Sequence, residues 1–248
     1  MLRKRIIPIV LLDGFSVLKT INFNQRRNLG SPITVARTYN TRNVDELILL
    51  DIDASKQGRA IDKFTIAEIA EECFMPLTVG GGIKSIKDIQ DLLAKGADKV
   101  AINSHALANP SFIEESSQIF GSQCIVISID VIEEEEAFYI YDSGNIRKDL
   151  DLIIWAKEVE KLGAGEILIN NVSRDGCMLG GNENLASTIS EVVSIPVIYA
   201  GGVSNPLDAV KMASTKISGV GISSIFHFTD HTPRDCSTQL NSHDIPAR

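Results

Sequence analysis

The sequence predicts one α/β domain, a (β/α)8 TIM barrel built from two duplicated half-barrels, approximately residues 1–122 and 123–248. Three observations point there. Eight short apolar runs alternate with amphipathic stretches along 248 residues. The runs are nearly continuous hydrophobics, as expected of parallel strands covered on both faces. Several motifs recur at one fixed offset of 120 residues.

The first strand is expected over Arg5–Leu12. Its basic lead, Met1-Leu-Arg-Lys-Arg5, imitates a signal peptide, but the apolar stretch Ile6–Leu12 ends in Asp13-Gly14 without a small-residue cleavage site. A buried strand is the better reading. The remaining strands are expected over Glu46–Asp51, Pro76–Val79, Lys99–Ile102, Cys124–Asp130, Glu166–Asn170, Ile195–Ala200 and Ile217–Ile222. Between them, Ser85-Ile-Lys-Asp88 opens a helix like a capping box. Gly96 and Gly163 close two helices, and Pro110, Pro206 and Pro233 suit first helical turns. Trp155 is expected to pack in a helix–sheet interface. Glu133–Glu136, the only charge run, reads as a solvated loop after the fifth strand. A doubly wound open sheet would need fewer repeats and a Gly-rich turn after its first strand, which is missing.

Composition narrows the partners. With 24 basic and 32 acidic residues the net charge is −8, which disfavours nucleic acid and anionic membranes as general partners. No run reaches the roughly 18 apolar residues of a membrane helix. Cys73, Cys124, Cys177 and Cys236 are widely spaced, pointing to free thiols and a cytoplasmic protein. His105, His227, His231 and His243 lack metal-ligand spacing and read as scaffold or surface, so neither a metal nor a cofactor is expected.

The repeat locates candidate chemistry. Pro76-Leu-Thr-Val-Gly-Gly-Gly-Ile83 echoes Pro196-Val-Ile-Tyr-Ala-Gly-Gly-Val203, Asn103-Ser104 falls on Ser223-Ser224, and Glu46 falls on Glu166. In a barrel, reactive groups gather where the strands end. Glycine loops let a backbone present N–H groups to an anion. Gly82, Asn103 and Ser104 on one side, and Gly202, Ser223 and Ser224 on the other, therefore predict two phosphate sites and a ligand phosphorylated at both ends. The alternative is tight turns and helix caps. Asp130 ends the fifth strand, within reach of a central ligand as acid or base. Asp51, Asp53 and Asp175 end other strands, where capping roles compete with proton transfer. At the opposite end Arg5, Glu46, Lys99 and Glu166 each begin a strand, two cations and two anions that could form an ion-pair ring. The ring reads either as a stabilising plug or as a gate for a small neutral molecule.

Arg5-Ile-Ile-Pro8, Lys19, Asp45–Asp51, Pro76–Ile83, Lys99–Asn103, Gly163–Leu168 and Arg174-Asp-Gly176 together resemble the cyclase subunit of imidazole glycerol phosphate synthase, in register from residue 3 to the C-terminal tail. The resemblance implies an enzyme of histidine biosynthesis of glutamine amidotransferase type. A glutaminase subunit would dock on the bottom face as a heterodimer, and ammonia would pass through the barrel. At the top it would convert a bis-phosphorylated formimino-carboxamide ribonucleotide to imidazole glycerol phosphate and aminoimidazole carboxamide ribotide. Matched residue by residue, the resemblance implies Asp130 as general acid/base. It implies Lys19, Gly82, Asn103, Ser104, Asp175, Gly176, Gly202, Ser223 and Ser224 as substrate-binding, Lys19 lying on a mobile loop that folds over the ligand. Arg5, Glu46, Lys99 and Glu166 would be the ammonia gate, with Asp98 at the glutaminase interface.

One position departs from that pattern. The family's second catalytic aspartate belongs on the first strand, where Leu11 stands here, and Asp13 is expected to lie past the strand end. A paralogous branch that resembles the chain in this apolar strand and in Val17-Leu-Lys-Thr20 accompanies acetamidino-sugar formation in surface polysaccharides (lipopolysaccharide biosynthesis). There the barrel would activate a glutaminase and deliver ammonia to a sugar amidotransferase. A related isomerase of the same pathway shares the duplicated barrel and two phosphate sites but needs no ammonia.

Overall fold

The computed structural model describes residues 3–135 and 137–248. The chain runs β1 (Arg5–Leu12), β2 (Val17–Ile21), β3 (Gln25–Gly30), α1 (Pro32–Thr41), β4 (Leu47–Asp51), α2 (Lys63–Ala70), β5 (Leu77–Gly80), α3 (Ile86–Ala94) and β6 (Lys99–Ile102). It continues through α4 (Ser104–Ala108), α5 (Ser111–Phe120), β7 (Ile125–Glu134), β8 (Ala137–Asp142), β9 (Asn145–Arg147), α6 (Leu152–Lys161) and β10 (Glu166–Asn171). The last elements are α7 (Glu183–Ser190), β11 (Val197–Ala200), α8 (Pro206–Ala213), β12 (Gly219–Ile222), α9 (Ser224–Phe228) and α10 (Pro233–Ser242).

Parallel pairing joins β1, β4, β5, β6, β7, β10, β11 and β12, and β12 returns to β1. The barrel is closed, and no open edge remains among these eight strands. Two antiparallel hairpins are appended: β2–β3 on the end of β1, and β8–β9 on the end of β7. Neither hairpin is among the elements expected from the sequence. The second also overturns the solvated loop expected at Glu133–Glu136. Glu133 and Glu134 belong to β7, and Glu135 is in the turn; Glu136 lies outside the described residues. The strand pairing of β7 with β8, the bonds of Glu133 to Asn171, Arg174 and Asn182, and the Glu134–Lys148 pair hold the charge run in the hairpin.

Alternation along β1 explains the two apolar layers. Val10 and Leu12 point outward into the layer shared with the helices, while Ile7, Ile9 and Leu11 point into the barrel with Ile48, Val126, Leu168 and Ile198. Burying each such side chain contributes about 1.5–3 kcal/mol. Gly219 and Gly221 on β12 make room for the inner layer. A Cβ there would sit 2.9 Å from Ile7 Cδ1 and 2.6 Å from Ile9 Cδ1. The local signals held as well: Ser85 and Asp88 form a capping box on α3, and Pro206 and Pro233 open α8 and α10. Trp155 is buried, and the four cysteines are unpaired. Among the described residues no helix is long and apolar enough to cross a membrane.

Candidate functional site

Each barrel strand ends in a loop at the same rim, and these loops enclose a cavity of about 510 Å³. Lys19, Gly82, Asn103, Ser104, Asp130, Asp175, Gly176, Gly202, Ser223 and Ser224 all line it. Residues scattered over two hundred positions are thus brought to one mouth by strand closure. Two glycines at the 120-residue spacing shape its opposite walls. Gly82 has φ +63° and its hypothetical Cβ would lie 1.8 Å from the Arg59 carbonyl oxygen. Gly202 has φ +91° and would meet the Gly180 carbonyl oxygen at 2.3 Å. No side chain fits either place. Ser223 Oγ is buried without a hydrogen-bond partner, a donor free for a ligand.

Asp130 sits at the cavity floor, where β7 still obeys its inward alternation. Asn103 Nδ2 donates to one carboxylate oxygen and Asn170 Nδ2 to the other, both at 2.8 Å. Burial, helped by the nearby Asp142 and Asp175 charges, pushes the Asp130 carboxyl up to about 6 even though these two amides favour the charged form. A carboxyl with that acidity can exchange a proton near neutral pH.

The β2–β3 hairpin lies over this floor. Lys19, expected on a mobile loop, occupies β2 and is buried. Its Nζ donates to Asp175 at 2.8 Å, and Thr20 Oγ1 donates to the other Asp175 oxygen at 2.6 Å. Farther out, Arg26 clasps Asp53 through both guanidinium nitrogens at 2.5 and 2.6 Å. Because strand pairing and these contacts hold the segment, it is an ordered hairpin here. Its tip meets the β8–β9 hairpin where the Phe23 and Tyr141 rings pack edge to face, centroids 6.4 Å apart. Phe23, Arg26 and Tyr141 line the cavity, and Asp142 bonds Ser104; none was expected from the sequence. The Asp142-Ser-Gly-Asn145 turn was the available signal for the second hairpin. Asp51 is structural: it accepts from the backbone of Asp53 and Ala54 and from Arg59.

At the other end of the barrel the four charges expected there close a ring. Arg5 pairs with Glu46 at 2.7 Å and with Glu166; Lys99 pairs with the same two carboxylates at 3.0 and 2.8 Å. Thr78 Oγ1 adds a hydrogen bond to Glu46 at 2.8 Å. Both glutamates are buried. Asp98 is exposed on the same end and accepts from the Leu77 backbone at 2.8 Å. It is not part of the ring.

The first strand carries no acid. Leu11 is buried in the inner apolar cluster with Ile9, Leu18 and Leu50. Asp13 lies beyond β1, its side chain accepting from the Ser16 backbone at 3.0 Å in the turn to β2.

A closed barrel of parallel strands with a glycine-walled mouth at one end and a charged ring at the other places the chain among the duplicated (β/α)8 barrels. Comparison with known proteins narrows the class: a family model described as "Histidine biosynthesis protein" matches residues 5–232, and the chain belongs to that family. It is 46% identical over 240 residues to a Campylobacter jejuni protein named "Putative imidazole glycerol phosphate synthase subunit hisF2", covering 97% of this chain and 96% of that one. It is 40% identical over 249 residues to imidazole glycerol phosphate synthase subunit HisF of an Exiguobacterium strain, covering 100% of this chain and 97% of that one.

Proposed function

We propose that the protein is the cyclase-type, ammonia-accepting barrel of a glutaminase-coupled synthase. The observation that carries this reading is the Arg5–Glu46–Lys99–Glu166 ring, set at the opposite end of the barrel from Asp130 with the apolar interior between them. A neutral molecule as small as ammonia crosses an apolar interior far more readily than an ion does. In this reading a glutaminase subunit docks on the ring face, around Asp98. Ammonia then passes the ring and meets a phosphorylated ligand held by the glycine loops, Ser223, Ser224 and Lys19. Asp130 moves the proton. With both carboxyl oxygens held by amides, it is oriented toward the cavity and charged on only part of its population near pH 6.

The acceptor divides two forms of this function. In one, the ligand is the bis-phosphorylated formimino-carboxamide ribonucleotide, and the reaction is its cyclisation and cleavage. In the other, the barrel activates the glutaminase and hands ammonia to a separate sugar amidotransferase. Leu11 favours the second form. Acid–base groups are worth ~10²–10⁴-fold each, and one of the two carboxylates of the cyclase chemistry is a leucine here. The test is turnover of the nucleotide with excess ammonium salt and no partner. Turnover that disappears in Asp130→Asn establishes the first form. Absence of turnover together with stimulation of a glutaminase establishes the second. Failure to bind or stimulate any glutaminase overturns the proposal.

A further inference from the structure

The closed ring runs β1, β4, β5, β6, β7, β10, β11, β12, so each strand faces the one half a turn away. The loops after β5 and β6 carry Gly82 and Ser104, and those after β11 and β12 carry Gly202 and Ser224. A ligand held between the two glycine walls therefore lies along that diameter. Its two flanks face β1 with β4 on one side and β7 with β10 on the other.

Those flanks are opposite in chemistry. On β7 and β10 the inward places at the mouth are Ser128, Asp130 and Asn170, all lining the cavity. Asn170 Nδ2 donates to Ser128 Oγ at 3.0 Å and to Asp130 at 2.8 Å, and Asn103 donates to the other Asp130 oxygen. Asn103 Oδ1 stays buried without a partner, an acceptor for a ligand hydrogen. On β1 and β4 the inward places are Ile9, Leu11, Leu50 and, one residue past β4, Ile52. All four line the cavity, and Leu50 and Ile52 are only half-buried. Asp51 beside them is committed to the Asp53 and Ala54 backbone and to Arg59. Lys19 and Thr20 of the overlying hairpin turn to Asp175 on the β10 side. A ligand hydroxyl against the β1–β4 flank would thus give up water and meet only aliphatic carbon. Ligand carbon there would gain burial.

We propose that the mouth takes a phosphorylated ligand with one apolar flank: unhydroxylated carbon packs against Ile9, Leu11, Leu50 and Ile52, while the hydrogen-bonding groups lie on the flank of Asn103, Asp130 and Asn170. Leu50 and Ile52 are the specificity-determining residues, because they carry the exposed part of the apolar wall. The position 120 residues after Leu50 is Asn170, so the two flanks differ at matched places of the two halves. The proposal rests on the reading above that the cavity binds a phosphorylated ligand, and it names the class of that ligand.

Isothermal titration with n-pentyl phosphate and ribitol 5-phosphate reads this as the ratio of two dissociation constants. The probes share a phosphate and five carbons and differ in hydroxylation. Ribitol 5-phosphate must set hydroxyls against both flanks, whereas pentyl phosphate leaves intact the bonds that the polar flank makes within itself. The wild-type protein is expected to bind pentyl phosphate at least as tightly. Leu50→Asn copies the residue of the other half and should move the ratio toward ribitol 5-phosphate by about tenfold or more. Ile52→Thr, a smaller change at the rim, should move it the same way, and Leu50→Met should leave it in place. A shift below about threefold in both Leu50→Asn and Ile52→Thr overturns the proposal. So does a wild-type protein that prefers ribitol 5-phosphate tenfold or more. If neither probe binds, the phosphorylated-ligand reading falls and takes the proposal with it. If ribitol 5-phosphate binds best in every variant, that reading stands and the apolar flank alone is refuted.

Discussion

Leu11 is the register partner of Leu50 across β1 and β4, and Asp130 is the register partner of Asn170 across β7 and β10. Leu50 and Asn170 are 120 residues apart, so the two pairs are the same place in the two halves of the barrel. One half carries an acid with its amide; the other carries two leucines. The first-strand place therefore holds neither a carboxylate nor a neighbour that could support one.

An acid restored at that place should be a poor one. Leu11→Asp would put a carboxylate against Ile9, Leu18 and Leu50 with no amide to receive it. Desolvation would raise its pKa, so its ionised form would be disfavoured in the folded state. The variant should lose about 1–3 kcal/mol relative to wild type at pH 8. Part of that loss should return as the pH falls through the raised folded-state value, and the rest of the charge-dependent part below about 4, where the group is protonated in both states. Urea unfolding at the two pH values checks this. A loss independent of pH would mean that shape, and not charge, sets the cost.

Asp130 gives a second pH effect of known sign. Its folded-state value of about 6 lies above the ordinary carboxylate value of 3.8. The folded protein therefore holds a proton there that the unfolded chain has released, and stability drains away as pH rises from about 4 to 6. Relative to wild type, Asp130→Asn should gain about 1–3 kcal/mol between pH 4 and pH 7, with little further change above. Any activity that uses Asp130 as a base should rise with pH through the same window. A variant whose stability difference is flat from pH 4 to 7 would contradict the raised value.

Strand continuity made the barrel legible, because parallel strands buried on both faces leave long apolar runs such as Arg5–Leu12 that no loop would carry. The repeat made the mouth legible: Gly82 and Gly202 announce themselves at one offset. The hairpins were not legible by the same rule. β3 is mostly exposed, and β8 is only partly buried, so neither shows a continuous hydrophobic run. Their signals are local. Ser143 and Gly144 both take positive φ, the two-residue hairpin turn that Asp-Ser-Gly-Asn favours. With the hairpins went Asp142, Phe23 and Tyr141. The Lys19–Asp175 pair joins residues 156 apart and follows only from closure of the barrel.

Gly202 provides a geometric prediction. Gly202→Ala places a methyl against the Gly180 carbonyl at φ +91°, and the loop after β11 must move. Loss of about 1–3 kcal/mol is expected, with weaker binding of inorganic phosphate. Gly144→Ala is the comparison: φ is +100°, yet nothing lies within 4 Å of the new Cβ. It should cost about 1 kcal/mol and leave phosphate binding as it was. Equal phosphate affinities in the two variants would deny the Gly202 loop a binding role.

The ion-pair ring separates structure from transport most sharply at Lys99. Removing its ammonium leaves Arg5 alone to balance Glu46 and Glu166, both buried. Because the Lys99 side chain keeps 20% of its exposure, the loss for Lys99→Met should fall at the low end for a broken buried pair, about 2–3 kcal/mol. A plug and a gate share that outcome. They part on activity. Ammonia generated by a docked glutaminase must cross the ring, whereas ammonia from bulk ammonium salt can reach the mouth directly. Lys99→Met should therefore change glutamine-dependent turnover several-fold more than ammonia-dependent turnover, measured on the same protein with the same acceptor. Arg5→Met, which breaks the other two contacts of the ring, should behave alike. If both variants lower the two activities in equal proportion, the ring holds the bottom of the barrel shut and carries nothing through it.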